Sequence, residues 1–125
     1  MLDWITTIWD YNYWAQHKML DCVSQLTEDD FKRPLDYSMG SVHQQVVHVL
    51  WAESVWFARI HDLPRPNFTV NDYPTRQAIR AKWNEVEMGW RKYLDGLTET
   101  DLDNTFEYVR GNNEATTSIV REILW

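Results

Sequence analysis

A chain of 125 residues with a formal net charge of −7, 44% hydrophobic and 25% charged residues has the size of one domain with a single core and a composition that excludes disorder. The acidic balance works against nucleic-acid binding, because a polyanion is repelled and few cations are free to release its counterions. A lone cysteine, Cys22, precludes an internal disulfide, no basic leader followed by an apolar stretch is present, and no apolar run reaches the length of a membrane span, so a soluble, cytoplasmic protein is expected.

From residue 2 to residue 26 there is neither Gly nor Pro, and Ile5, Ile8, Asn12, Ala15, Met19, Cys22 and Leu26 recur at alternating spacings of three and four. This pattern predicts a long amphipathic helix with Cys22 on its core face. At its end "LTEDDF" offers Thr27 as N-cap of a new turn, acids at Glu28, Asp29 and Asp30 for the positive helix start, and Leu26 and Phe31 as a hydrophobic staple. The same grammar returns in "LTETDL", at Leu97, Thr98, Asp101 and Leu102.

A second helix is predicted from about 38 to 62, stopped by "LPRP", and a third from a cap at Asp72 or Thr75 to Gly96. The third presents Ile79, Trp83, Val86, Trp90, Tyr93 or Leu94, and Leu97 along one face. In "NTFEYVRGNNEATT" the alternation of Phe106, Tyr108 and Arg110 around "GNN" fits a small hairpin or an irregular loop. "TTSIVREILW" then starts a fourth helix, capped by Thr116 or Thr117, with no stop signal after it. Three long helices and the beginning of a fourth make an all-α fold the expectation, a four-helix bundle with its last helix incomplete in this chain.

The polar residues of the second helix hold the candidate chemistry. Glu53 falls in the apolar row of Val42, Val46, Val49, Trp56 and Ile60, and a carboxylate there needs a Trp N–H, a Tyr hydroxyl or an Arg as partner. His43 and His48 are five positions apart, about 140° around a helix, so they cannot chelate one ion as an i, i+4 pair could. His43 and His61 share a side with few apolar residues, and His17 lies off the main stripe of its helix, which predicts that all three are solvated. Periodicity does not place His48. No nucleophile elbow, phosphate loop, paired cysteines, HExxH or calcium-loop pattern competes.

Taken in order, "DYNYWAQHKMLDCVSQLTEDDF", "SMGSVHQQVVHVLWAESVWFARI" and "TTSIVREILW" resemble the DinB family, also called DinB/YfiT-like, across essentially the whole chain. This family is distinct from the DNA polymerase that shares the name. The resemblance implies an up-down-down-up four-helix bundle whose fourth helix is truncated here. It implies a divalent metal, Zn or Ni, held by a histidine of the second helix and an HxxxH pair of the fourth. His48 matches the first of these ligands, and no HxxxH occurs before Trp125. Three neutral imidazoles leave an open position at which a water or thiol loses its proton easily. Similar proteins include S-transferases that use thiols such as bacillithiol or mycothiol, isomerases and hydrolases. A small-molecule thiol or electrophilic substrate is therefore the expected partner, and this chain alone is not expected to hold the metal tightly. The alternative expectation is a metal-free helical dimerisation module. Homodimers are expected on either reading, since an incomplete bundle exposes apolar side chains.

Overall fold

The computed structural model, which describes residues 1–36 and 38–125, begins with α1 over Leu2–Val23. Its most buried side is made by Ile5, Tyr13, Leu20 and Val23, roughly a quarter turn from the stripe expected from periodicity. Ile8, Asn12, Ala15 and Met19 are only half-buried and Cys22 is exposed, which corrects its expected place in the core. The reason is that α1 is apolar on two adjoining sides, and the neighbouring helices cover the one containing Trp9 and Tyr13.

The restart at "LTEDDF" forms as expected. Thr27 Oγ1 accepts from Asp30 N at 3.1 Å and opens the short α2, Glu28–Lys32, while Phe31 is fully buried. In "LTETDL" Thr98 and Asp101 exchange backbone-to-side-chain hydrogen bonds, but only a single 3-10 turn, Thr100–Asp103, follows, with Leu102 buried.

α3 spans Val42–Ile60 and opens with a reciprocal capping box between Ser41 and Gln44. Gly40 sits at φ +92°, and an added Cβ there would lie 2.2 Å from Gln44 Oε1, so glycine lets the cap close. Ser41→Ala is expected to lower stability by about 1 kcal/mol, read as a shift of the urea midpoint with unchanged slope. The helix ends where Asp62 turns left-handed at φ 52° and Leu63 N donates back to Ala58 O at 2.8 Å, just before the prolines that forbid another turn. α4 covers Arg76–Asp95, capped by Thr75 and burying Ile79, Trp83, Trp90 and Leu94.

The chain then forms an antiparallel hairpin, β1 over Thr105–Val109 and β2 over Ala115–Ile119, with Phe106 opposite Ser118 and Tyr108 opposite Thr116. Asn113 at φ 63° makes the turn. Thr116 and Thr117 therefore pair in a strand and do not cap the last helix. α5 is Val120–Leu124, preceded by Ile119 without a side-chain cap. β-branched residues at 116, 117 and 119 suit the pleated edge better than a helix start. The fold is mostly helical, as expected, with this small sheet added between the third and last long-helix positions.

Two apolar clusters fill the interior. One gathers Leu20, Phe31, Leu50, Ile79 and Trp83 near α2, and the other gathers Ile5, Tyr13, Trp90, Leu102 and Leu124 near α5. α3 and α4 approach closely at Gly89, where an added Cβ would lie 3.3 Å from the Phe57 ring. Glu53 is placed where the two clusters meet, with Tyr13 and Trp83 from either side acting on it.

Candidate functional site

The four histidines separate by what they touch. His43 is buried, stacks on Phe31 with centroids 4.8 Å apart, and donates from Nε2 to Tyr73 O at 2.7 Å. This corrects its expected solvation: Phe31 of α2 and the loop before α4 fold over a face that looks polar in α3 alone. His61 donates from Nδ1 to Phe57 O at 2.8 Å and stacks on that ring at 4.0 Å, so it closes the end of its own helix instead of facing water. His17 is partly exposed, and its Nε2 is 2.7 Å from Glu87 Oε1.

His48 differs from all three. It is exposed, no hydrogen-bond partner is found for it among the described residues, and its ring stacks on Trp51 with centroids 5.8 Å apart. It borders a cavity of ≈ 420 Å³ with Gln44, Val47, Trp51, Phe68 and Val70. The stacking orients the imidazole while leaving both ring nitrogens free to bind, and the mostly apolar lining would weaken competition from water. Ala52 and Trp56, four and eight positions on from His48 along the same side of α3, are both half-buried.

Sequence spacing placed Glu53 in an apolar row without naming its partners. Tyr13 donates its hydroxyl to Glu53 Oε1 at 2.6 Å, and Gln16 donates its amide to Oε2 at 2.8 Å. Trp83 Nε1 acts on the same carboxylate more weakly, short of hydrogen-bonding geometry. Burial raises the Glu53 pKa above the ordinary carboxylate value, and these donors offset the shift only in part. Burial, followed by the Glu53 charge, likewise pushes the Tyr13 phenol upward. Both groups thus hold their protons tightly.

A second carboxylate, Glu87, faces the opposite balance. Burial raises its pKa, but hydrogen bonds from Arg91 at 2.8 Å and His17 at 2.7 Å outweigh that and hold it below the ordinary range. Arg91 also reaches Asp10 at 2.7 Å and lies over the Tyr13 ring. A charged chain on the α1/α4 surface therefore abuts the buried Tyr13–Glu53 pair. The contrast between the two glutamates is one of environment, since one has cationic neighbours and the other neutral donors.

The residues present do not by themselves fit a tight metal centre. Zinc takes three or four protein ligands, whereas His48 stands alone, and no group of three His, Cys, Asp or Glu that could hold an ion occurs among the described residues. Cys22 is exposed and does not line the cavity beside His48. No helix is long and apolar enough to cross a membrane among the described residues.

No curated protein matches the chain closely enough to be informative. A family model described as the DinB superfamily does match, over residues 11–124, from within α1 to the last residue of α5. The match takes in the caps of α2, α3 and α4, the His48 face and the Glu53–Tyr13 pair, and so the chain belongs to the DinB superfamily.

Proposed function

We propose that the protein is a DinB-type enzyme of the metal-dependent S-transferase or hydrolase class, with its reactive site at the mouth beside His48. The observation that carries this reading is the division among the histidines: three are committed to hydrogen bonds, and one is exposed, oriented by a tryptophan and unpartnered among the described residues. DinB superfamily proteins are generally metal-associated. His48 would supply one imidazole of such a metal site. What these residues do without an ion is orient the imidazole and line an apolar mouth suited to a small thiol or electrophile.

The test compares Zn²⁺ and Ni²⁺ affinity in the unaltered protein, His48→Ala and His61→Ala. Loss of His48 should weaken binding by about tenfold or more, since even outer-shell partners of metal ligands are worth that much, while His61→Ala should leave it unchanged. Equal affinity in all three proteins would remove His48 from the proposed site.

Exposed aromatics favour one further reading. Trp4, Tyr11 and Trp14 are each more than half exposed and lie on one side of α1, within about 80° of one another. A surface of that kind suits a second copy of the chain, and homodimerisation through α1 is the proposal. Light scattering at micromolar concentration should give twice the chain mass, and Trp14→Glu should give the monomer. A monomeric unaltered protein contradicts it.

A further inference from the structure

The arginines of this acidic chain fall into two sets. Arg33, Arg76, Arg80, Arg91 and Arg121 each pair with a carboxylate. Arg59, Arg65 and Arg110 are the remaining arginines, and none has an acidic partner within salt-bridge distance among the described residues. All three gather at the junction of α3, the loop after it and the hairpin.

Each of the first two is held by an aromatic face. The Arg59 guanidinium lies between two rings, 4.5 Å from the Trp56 centroid and 4.5 Å from that of Tyr108. Those rings meet edge-on at 5.4 Å. Arg65 lies 5.1 Å over Trp51, whose own indole is fixed by donation to Pro66 O at 3.1 Å. Its guanidinium reaches across to the hairpin turn, where Nη1 would lie 3.6 Å from a Cβ at Gly111. Stacking of this sort restrains a guanidinium and leaves its in-plane N–H edges free.

Arg59 and Arg65 open onto a cavity of ≈ 330 Å³ that also has Tyr108, Val55, Leu63 and Val109 in its walls. Asp62 and Glu107 line it too, but neither carboxylate reaches an arginine within 4.0 Å. The like charges are mutually felt: burial lowers the Arg59 pKa, Tyr108 opposes the shift, and Arg65 and Arg110 lower it further. Three arginines gathered without an ion-pair partner among the described residues repel one another and favour an added anion, and a chain with net charge −7 offers no general reason to collect them.

We infer that this cavity binds a small organic anion, with the carboxylate or phosphate group in the fork of Arg59 and Arg65 and a short apolar body against Val55 and Leu63. The volume is at the lower end of small-molecule sites, which favours a ligand of metabolite size over a polymer. Planar, bidentate oxyanions suit the guanidinium edge that stacking leaves open. The site is separate from His48: Arg59 is eleven positions further along α3, about 16 Å along the axis. Trp51 links the two places, since it stacks on His48 and carries Arg65, but anion binding requires no metal and stands apart from the transferase or hydrolase reading.

The experiment titrates the protein with inorganic phosphate and with succinate, following the Trp and Arg side-chain N–H resonances. The expected result is saturable shifts at the Trp51 and Trp56 indoles and the Arg59 and Arg65 Nε–H groups, weakening as sodium chloride is raised. Preference for succinate identifies a carboxylate ligand and preference for phosphate a phosphate ester. Arg65→Gln should reduce affinity at least fivefold, and Arg59→Gln should do the same where its thermal unfolding shows it folded. Arg80→Gln and His48→Ala should bind as the unaltered protein does. Shifts that do not saturate, or equal affinity in Arg65→Gln, would overturn the site.

Discussion

Replacing Glu53 with alanine should destabilise the protein by about 2–4 kcal/mol, whereas glutamine at the same position should be nearly neutral. Alanine strands the Tyr13 hydroxyl and the Gln16 amide where they now donate at 2.6 and 2.8 Å. Glutamine keeps an oxygen for Tyr13, and its new amide can donate to Gln16 Oε1 once Gln16 flips. That oxygen is buried without a partner in the present arrangement. The two substitutions also separate by pH. Because burial raises the folded-state pKa of Glu53 above its ordinary value of 4.5, the folded state holds this proton more tightly than the unfolded chain does. Its contribution to stability is therefore full below that value and is lost as pH rises from 4.5 through the folded-state pKa. The difference in stability between Glu53→Gln and the unaltered protein should grow in the variant's favour across that window. Glu87, whose pKa is depressed, acts oppositely, losing its contribution as pH falls, but it is common to both proteins and cancels. Urea unfolding at a series of pH values measures this directly, and a flat difference would show that Glu53 is ionised and adequately paired at neutral pH.

Trp90→Ala should have the largest effect of any single substitution, about 3–5 kcal/mol. The ring is buried, packs 4.6 Å from Trp9 and 5.3 Å from Phe57, and extends its indole N–H toward Glu53 O at 3.4 Å. Removing it opens a cavity between α1, α3 and α4 that three other aromatic rings cannot collapse to fill. Domains of this size are stable by only about 5–15 kcal/mol, so the variant should be partly unfolded at 37 °C. Met88→Ala, at an exposed position on α4, should change stability by no more than about 0.5 kcal/mol. Guanidinium midpoints and near-ultraviolet circular dichroism distinguish the two, and a small effect at Trp90 would contradict the packing described.

Much of this architecture is legible in the chain because it is written locally. Thr27, Asp30 and Phe31 specify a cap and staple within five residues, and the α4 row of Ile79, Trp83, Trp90 and Leu94 is buried as its spacing predicts. Glu53 could be seen to need a partner, though which residue supplies it depends on how α1 meets α3. Periodicity fails where burial is decided by another element. Cys22 follows an apolar stripe yet is exposed, because the neighbouring helices cover a different side of α1. His43 stands on a polar-looking face yet is buried beneath Phe31 and bonded to Tyr73. The threonines at 116 and 117 satisfy the composition of a cap, and strand pairing with Tyr108 and Glu107 takes them instead. His48 was singled out by family resemblance, since nothing in its spacing distinguishes it from the other three. The arginine cluster has no sequence signal at all, as Arg59, Arg65 and Arg110 meet only when the hairpin folds onto α3.

The most direct test of the His48 assignment is to follow all four imidazoles by nitrogen-resolved NMR during a titration with Zn²⁺, repeated with paramagnetic Ni²⁺. Because His17, His43 and His61 are engaged with Glu87, Tyr73 and Phe57, they should respond late or not at all. His48 should shift first with Zn²⁺, and Ni²⁺ broadening should centre on its ring and the Trp51 indole. A first response at His17, His43 or His61, or an unresponsive His48, would contradict the assignment of His48 as the functional imidazole.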